Sequence, residues 1–170
     1  WVEWPAGSDS AFQLHNFTLE VWVNPGPEQD VWAAIAGNLQ SQGLIRSGWG
    51  LLLQRETAAG FSDGPSRPSD LSWGQPPPPG TSTVHWVVCD GGGERAGREG
   101  LRSYALEEPS AGIPHGVWTH LAATYDTVHG ARLYANGTLV THRPPRAPNG
   151  IDYSLRGRMK LGGYQTGGGG

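Results

Sequence analysis

The sequence predicts an all-β domain built as an antiparallel sandwich of two sheets, and three observations carry this prediction. Apolar and polar residues alternate with a period of two in several runs, whereas helical spacing is almost absent. The 170 residues include 27 glycines and 14 prolines, about twice the usual share, and these turn formers fall between the runs. The pair Asn136-Gly137 stands between two such runs and is typical of a tight β-hairpin.

Five strands are predicted before residue 110. The segment Phe17–Val23 alternates apolar and polar residues and stops at an Asn-Pro-Gly-Pro turn sequence. The run 31–36 is apolar on both faces, which argues against an exposed edge strand. The remaining predicted strands of this part are 49–54, 84–89 and 102–106.

The last third of the chain has the clearest strand pattern. Over 117–125, the odd-numbered residues are expected to share one face, and the even-numbered ones, among them Trp118 and His120, the other. A hairpin follows, with strands 131–135 and 138–141 joined by a type I′ turn that needs positive φ angles. A short strand at 159–162 brings the total to about nine, which fits an antiparallel sandwich.

Loops and chain ends define the predicted domain. Residues 55–82 are rich in Gly, Pro, Ser and Asp and end in four prolines, so they are expected to form one long projecting loop insertion. A second, shorter proline-rich loop is predicted at 143–149. We expect one sandwich domain over residues 1–164 and a glycine-rich tail or linker over 165–170, as a piece of a longer polypeptide.

Composition excludes two classes of partner. The net charge is −3 and the basic residues are scattered among acidic ones, so no basic stripe for nucleic acid is expected. No apolar run approaches the roughly 18 to 20 residues that a membrane helix needs, so we expect no membrane insertion. The single cysteine, Cys89, lies in an apolar run and is predicted to be a buried small residue; the alternative is a disulfide with a partner outside the chain.

Several motifs resemble, in order, those of a known family. Residues 17–23 read FTLEVWV, residues 116–126 read GVWTHLAATYD, and RLYANG and MKLGG follow at 132–137 and 159–163. The chain thereby resembles laminin-G-like domains of the concanavalin A-like lectin/glucanase superfamily, over about residues 12–164. The resemblance implies a jelly-roll sandwich that lacks its last strand, and the 55–82 insertion has no counterpart in the family pattern.

The resemblance also suggests roles for two tryptophans. Trp22 and Trp118 stand at positions where the family repeatedly has tryptophan. An indole buried at such a position would remove on the order of 200 Å² from water. We therefore expect both side chains to be buried anchors of the sheets rather than ligand contacts.

The carboxylate motif of the superfamily's glucanases and the common metal-binding motifs are missing. Glycoside hydrolysis needs two carboxyls about 5 to 9 Å apart, and the superfamily's glucanases supply them from an E-x-D-x-x-E strand that does not occur here. Glu107 and Glu108 are adjacent and would point to opposite strand faces. No H-E-x-x-H or C-x-x-C motif occurs either, and six histidines leave a Ser-His-Asp site open. The chain is predicted not to be an enzyme, with glycoside hydrolase as a minor alternative.

Ligand-binding candidates come from aromatic, acidic and amide residues. Trp73, Trp49 and Trp86 lie in or beside the long insertion and are candidates for stacking on sugar, although Trp73 could equally pin its loop and Trp49 could belong to the core. The family often holds a calcium ion at the sandwich rim, and Asp126 is the candidate ligand by position. A turn-forming role for Asp126 is favoured over calcium binding.

Two N-x-[ST] sequences make Asn16 and Asn136 candidate glycosylation sites, which favours a secreted protein. Taken with the resemblance, the sequence predicts a non-catalytic recognition or adhesion module of a larger extracellular or cell-surface protein. Such a module would bind a glycan or protein through the loops of the sandwich. The alternative is a structural packing domain, without a small ligand, in a large assembly that could be intracellular.

Overall fold

The computed structural model describes residues 2–4, 9–30, 32–42, 45–55, 78–89, 104–106, 112–145, 150–155 and 157–162. These residues form thirteen strands and one 3₁₀ turn, Asp9–Phe12. The strands are β1 (Val2–Glu3), β2 (Phe17–Val23), β3 (Trp32–Gly37), β4 (Gln40–Gln42), β5 (Ile45–Ser47), β6 (Trp49–Arg55), β7 (Thr81–Val88), β8 (Tyr104–Leu106), β9 (Ile113–Pro114), β10 (Thr119–Asp126), β11 (Gly130–Ala135), β12 (Thr138–Arg143) and β13 (Lys160–Leu161).

The described strands form two large sheets, and all their pairings are antiparallel. The first sheet has seven strands in the order β1-β13-β3-β6-β7-β8, with β9 also paired to β7. The second has four strands in the order β12-β11-β10-β2. A separate hairpin joins β4 to β5. The predicted all-β fold of two antiparallel sheets is thus confirmed, while the jelly-roll connection of the strands stays a prediction.

The two sheets pack face to face through aromatic side chains. The ring of Phe17, from β2, lies 4.9 Å from that of Trp49 and 5.8 Å from that of Trp86, both of which belong to the seven-stranded sheet. The Trp86 indole N–H donates a hydrogen bond of 3.1 Å to the backbone carbonyl of Thr124 in β10. One continuous core therefore fills the space between the sheets, as in a β-sandwich.

Strand β10 lies in the middle of the four-stranded sheet and follows the predicted alternation. Its odd-numbered residues, Thr119, Leu121, Ala123 and Tyr125, are all buried, whereas the residues between them reach solvent in part. Burial of a side chain the size of Leu121 contributes about 1.5 to 3 kcal/mol to folding. The period-two pattern therefore fixes which face of this strand meets the other sheet.

The hairpin between β11 and β12 has the predicted turn. Asn136 and Gly137 have φ angles of 49° and 78°, the left-handed pair that a type I′ turn requires. Positive φ is tolerated by asparagine and costs glycine nothing, so this sequence selects the turn and its twist fits the strands. A β-bulge between Leu133 and Tyr134 then shifts the register with β12.

Some predicted bounds are wrong. The strand predicted from residue 117 begins at Thr119, because Gly116, with a φ of 73°, turns the chain and its N–H donates to the carbonyl of Pro25 at 2.9 Å. The insertion predicted over 55–82 is shorter at both ends, since β6 includes Arg55 and β7 begins at Thr81. Residues 56–77 lie outside the described part. The short strands β1, β4, β5 and β9 were not predicted.

Candidate functional site

Two tryptophan side chains are open to solvent on the four-stranded sheet. Trp22 in β2 is 62% exposed, and Trp118, which directly precedes β10, is 63% exposed. The expectation that both are buried anchors is therefore wrong. The physical reason for Trp22 is its place in the alternation, since Val21 and Val23 point toward the core and the residue between them must face outward.

A histidine lies next to the indole of Trp22. His120 is the direct cross-strand partner of Trp22, and the centroids of the two rings are 5.2 Å apart. Trp118 directly precedes β10 and stands two residues before His120 in the chain. Trp22, Trp118 and His120 are called the aromatic surface from here on.

Polar groups border the aromatic surface. Asn136 lies beside His120 in the turn that follows β11: its backbone N–H donates to the His120 carbonyl at 2.8 Å, and its Oδ1 accepts from the His120 N–H at 3.0 Å. Glu20 is exposed two residues before Trp22 on the same face of β2. Trp22 on β2, His120 on β10 and Asn136 in the β11–β12 turn are thus successive neighbours across the sheet, and the carboxylate of Glu20 lies beside Trp22 on the same strand. Such a surface offers both apolar rings and hydrogen-bonding groups to a ligand.

The tryptophans predicted to contact ligand are elsewhere. Trp49 is 2% exposed and Trp86 is fully buried, and both belong to the core between the sheets. Their indole N–H groups are already used, that of Trp49 by the Phe12 carbonyl at 3.3 Å. The interpretation of these two side chains as sugar-stacking residues is therefore wrong, while a core position for Trp49 is confirmed. Trp73 lies outside the described residues.

Asp126 forms the turn between β10 and β11. Its Oδ1 accepts hydrogen bonds from the backbone N–H groups of Val128, at 2.9 Å, and His129, at 2.6 Å. The guanidinium of Arg132 lies 3.7 Å from Oδ2. Partial burial raises the pKa of this carboxyl, but the hydrogen bonds from His129 and Val128 outweigh it and hold the pKa below its ordinary value. The predicted turn-forming role is confirmed.

These surroundings do not fit a calcium site at Asp126. Calcium takes six to eight oxygen ligands, whereas the groups that face this carboxylate are N–H donors and the cation of Arg132. Within the described ranges, no three His, Cys, Asp or Glu side chains are grouped so that they could hold a metal ion.

A serine and a histidine meet at the start of β7. Ser82 Oγ lies 3.0 Å from His115 Nε2 and receives a second hydrogen bond of 3.2 Å from the Gln29 side chain. Such a distance suits a nucleophile and its base, but Ser82 is fully buried and no substrate can reach its hydroxyl. The pair therefore joins β7 to neighbouring segments and is a structural contact.

His85 is buried on the face of the seven-stranded sheet that points away from the core. Its neighbours Val84 and Trp86 belong to the core, so alternation directs His85 to the other side. Its Nε2 lies 2.9 Å from Oε1 of Gln54. Burial lowers the pKa of His85 to about 4, so the ring is neutral at physiological pH. Cys89, one residue beyond the same strand, is also buried, which confirms its predicted interior position.

Both candidate glycosylation residues are exposed, at opposite ends of the four-stranded sheet. Asn16 directly precedes β2 and accepts a hydrogen bond from the Thr127 N–H at 3.2 Å. Asn136 lies at the tip of the β11–β12 hairpin, beside the aromatic surface. Each asparagine is therefore accessible to an enzyme that modifies folded or folding chains at surface loops.

No protein-family model matches the sequence, and no curated protein is detectably similar to it. The likeness to laminin-G-like domains thus stays a prediction that rests on the strand motifs. In the part of the chain that the structure describes, no helix is long and apolar enough to span a membrane. What defines the molecule is a β-sandwich with an open aromatic surface on its four-stranded sheet.

Proposed function

We propose that the chain is a non-catalytic recognition module that binds a glycan on the aromatic surface, as part of an extracellular or cell-surface protein. The observation that carries this proposal is the exposure of two indoles, that of Trp22 beside the ring of His120 and that of Trp118 two residues before this histidine in the chain. The module resembles laminin-G-like domains in its motifs, but binding is assigned to a sheet face rather than to the loops.

The proposal follows from the chemistry of the surface. An exposed indole leaves a large apolar area in water, and the C–H face of a sugar ring can cover it by stacking. Hydroxyl groups of the sugar then need polar partners at the edge of the stack. Glu20 and Asn136 supply a carboxylate and an amide at that edge. The combination favours a ligand that is apolar on one face and hydroxylated around its rim.

A protein partner is the second candidate, because tryptophan is frequent in the energetic centres of protein interfaces. It is favoured by two further apolar side chains that are about half exposed, Val117 beside Trp118 and Leu139 on β12. A domain that packs within a large assembly would use the same surface. The minor alternative of a glycoside hydrolase stays a prediction.

The test is binding of the bacterially produced, unglycosylated chain to a glycan array and to immobilised polysaccharides. We expect Trp22→Ala and Trp118→Ala each to weaken binding about tenfold, the equivalent of 1.4 kcal/mol. Val128→Ala is the matched control, because Val128 is an equally open apolar residue in the turn at the other end of the sheet. Its affinity should equal that of the unmodified chain.

Two results would overturn the proposal. One is a folded chain that binds no glycan on the array. The other is binding that persists in full after both tryptophans are replaced. In either case, the aromatic surface would be assigned to a protein contact instead, and Trp22 would then be expected at the centre of that contact.

A further inference from the structure

Asn136 is the first residue of an Asn-Gly-Thr sequence at a hairpin tip. Asn136, Gly137 and Thr138 are all exposed, so the complete recognition sequence is open to solvent. We propose that Asn136 carries an N-linked glycan and that this glycan lies over the Trp22 and His120 side of the aromatic surface. The modification itself is independent of the proposed function; only its effect on ligand binding rests on that function.

The modification forms one bond and breaks another. The Nδ2 atom of Asn136 attacks the anomeric carbon of a lipid-linked oligosaccharide diphosphate, the co-reactant of the secretory pathway. The new bond is Nδ2–C1, the C1–O bond to the diphosphate breaks, and the lipid diphosphate leaves with that electron pair. One Nδ2 proton passes to a base of the transferring enzyme. The product is an Asn136 amide with one remaining N–H.

The hydrogen bonds around Asn136 are compatible with this product. The side chain uses Oδ1 to accept the His120 N–H at 3.0 Å, and glycosylation leaves that oxygen unchanged. The backbone N–H of Asn136 also keeps its bond to the His120 carbonyl. Glycosylation therefore does not require the turn, with its φ of 49° at Asn136, to open. The amide stays fixed beside His120, and this fixes where the glycan begins.

Strand spacing brings the glycan to the indole. Asn136 is next to His120 in the sheet, and His120 is the cross-strand partner of Trp22. Two strand spacings amount to about 10 Å, which the first two sugars of an N-glycan can span. The rings of His120 and Trp22 are 5.2 Å apart and offer an apolar face along this path. A sugar stacked there would cover the indole that the proposed external ligand needs.

Asn16 provides a comparison within the same molecule. It begins the other N-x-[ST] sequence and lies six residues from Trp22 along β2, which is about 20 Å away in an extended strand. Its Oδ1 accepts from the Thr127 N–H, at the opposite end of the sheet from His120. A glycan on Asn16 is therefore expected to leave Trp22 open.

The experiment uses the 170-residue chain secreted from a eukaryotic host behind an added signal sequence. Thr138→Ala removes the Asn136 recognition sequence but keeps Asn136 in its turn, and Thr18→Ala is the matched control for Asn16. Mass spectrometry of intact chains measures glycan occupancy. Quenching of tryptophan fluorescence by acrylamide measures indole exposure, because the buried Trp49 and Trp86 are protected in every variant.

We expect Thr138→Ala to lose one glycan per chain and to show a higher quenching constant, and Thr18→Ala to leave the quenching constant unchanged. Enzymatic removal of the glycans from the folded, unmodified chain should raise quenching as Thr138→Ala does, which controls for folding. The rise should shrink in a Trp22→Phe background. Polysaccharide binding, if the proposed function holds, should be stronger without the Asn136 glycan.

The inference is overturned if Thr138→Ala has the same mass distribution as the unmodified chain, or if it loses a glycan without any change in quenching. Neither readout requires an external ligand. Failure of the proposed function would be seen separately, as a lack of glycan binding by the unglycosylated bacterial chain. The two failures are thus distinguishable.

Discussion

Two pairs of tryptophans occupy opposite environments in this sandwich. Trp49 and Trp86 lie between the sheets with their rings 5.8 Å apart, whereas Trp22 and Trp118 are open to solvent on the four-stranded sheet. Residue type cannot explain the difference, because it is the same in all four. Position relative to the core decides it: one pair fills the space between the sheets, and over the other pair none of the described strands is packed.

The outward faces of the two sheets differ in the same way. On the seven-stranded sheet, Leu52, His85 and Val87 point away from the core and are nevertheless buried. On the four-stranded sheet, Trp22 points away from the core and is exposed, and His120 is only half-buried. Among the described residues, the second face is therefore the one that can receive a ligand without first being uncovered.

The largest effect is expected at the buried pair. Trp86→Ala should reduce the free energy of unfolding by about 3 to 5 kcal/mol, because it leaves a large cavity between the sheets. Chemical denaturation monitored by circular dichroism measures this loss. Trp86→Phe separates the loss of the hydrogen bond from the loss of volume, because phenylalanine keeps most of the volume but cannot donate to the Thr124 carbonyl. This variant should lower the free energy of unfolding by about 1 to 3 kcal/mol. A change below about 1 kcal/mol for Trp86→Ala would contradict the packing of the two sheets on this ring.

An intermediate effect is expected at the covered outward face. Burial lowers the pKa of His85 to about 4 in the folded chain, from the ordinary histidine value of 6.5. Between pH 4 and pH 6.5, His85 binds a proton more readily in the unfolded chain than in the folded one. The stability that its neutral ring contributes is therefore fully present above pH 6.5 and is lost as the pH falls toward 4. The loss from pH 7 to pH 4.5 should be about 2 to 3 kcal/mol.

Denaturation curves at a series of pH values measure this loss, and His85→Gln is the control because its side chain can still hydrogen-bond but does not titrate. The variant should have a flatter pH profile than the unmodified chain over pH 4.5 to 7. Identical slopes would mean that His85 is solvated, and the contrast between the two outward faces would be lost.

The smallest effect is expected at the open pair. Trp22→Ala should change the free energy of unfolding by at most about 1 kcal/mol, since the side chain is already 62% exposed and packs across the strand on His120. The same substitution is expected to weaken glycan binding strongly, so stability and binding separate at this residue. A large loss of stability would make Trp22 a buried anchor, as the motif resemblance suggested.

Much of the fold could be predicted from local patterns. Strand β2 was predicted with the bounds that the structure has, and the turn at Asn136 follows from its sequence alone. The short strand β1 could not be found in this way. A strand of two residues is too short to show a period-two alternation, and its residue Val2 pairs with Leu161, across nearly the whole length of the chain.

The candidate site was harder to predict, although a signal for it was present. Alternation already placed Trp22 on the opposite side of its strand from Val21 and Val23, but a large aromatic side chain is so often buried that motif position outweighed the alternation. Conversely, Trp49 and Trp86 looked accessible because they are near a long proline-rich segment. Nearness in sequence to a loop carries no information on which face of a strand a residue occupies.

The sequence by itself therefore determined the strands, the hairpin turn and the side of each strand on which a residue lies, because these depend on backbone sterics and on a period of two. Only the tertiary structure decided which of those sides is covered. Coverage depends on which sheet packs against which, a matter of contacts between residues far apart in the chain. In the tertiary structure, Trp22 and Trp118 are exposed to water near Asn136, whereas Trp49 and Trp86 are buried between the sheets.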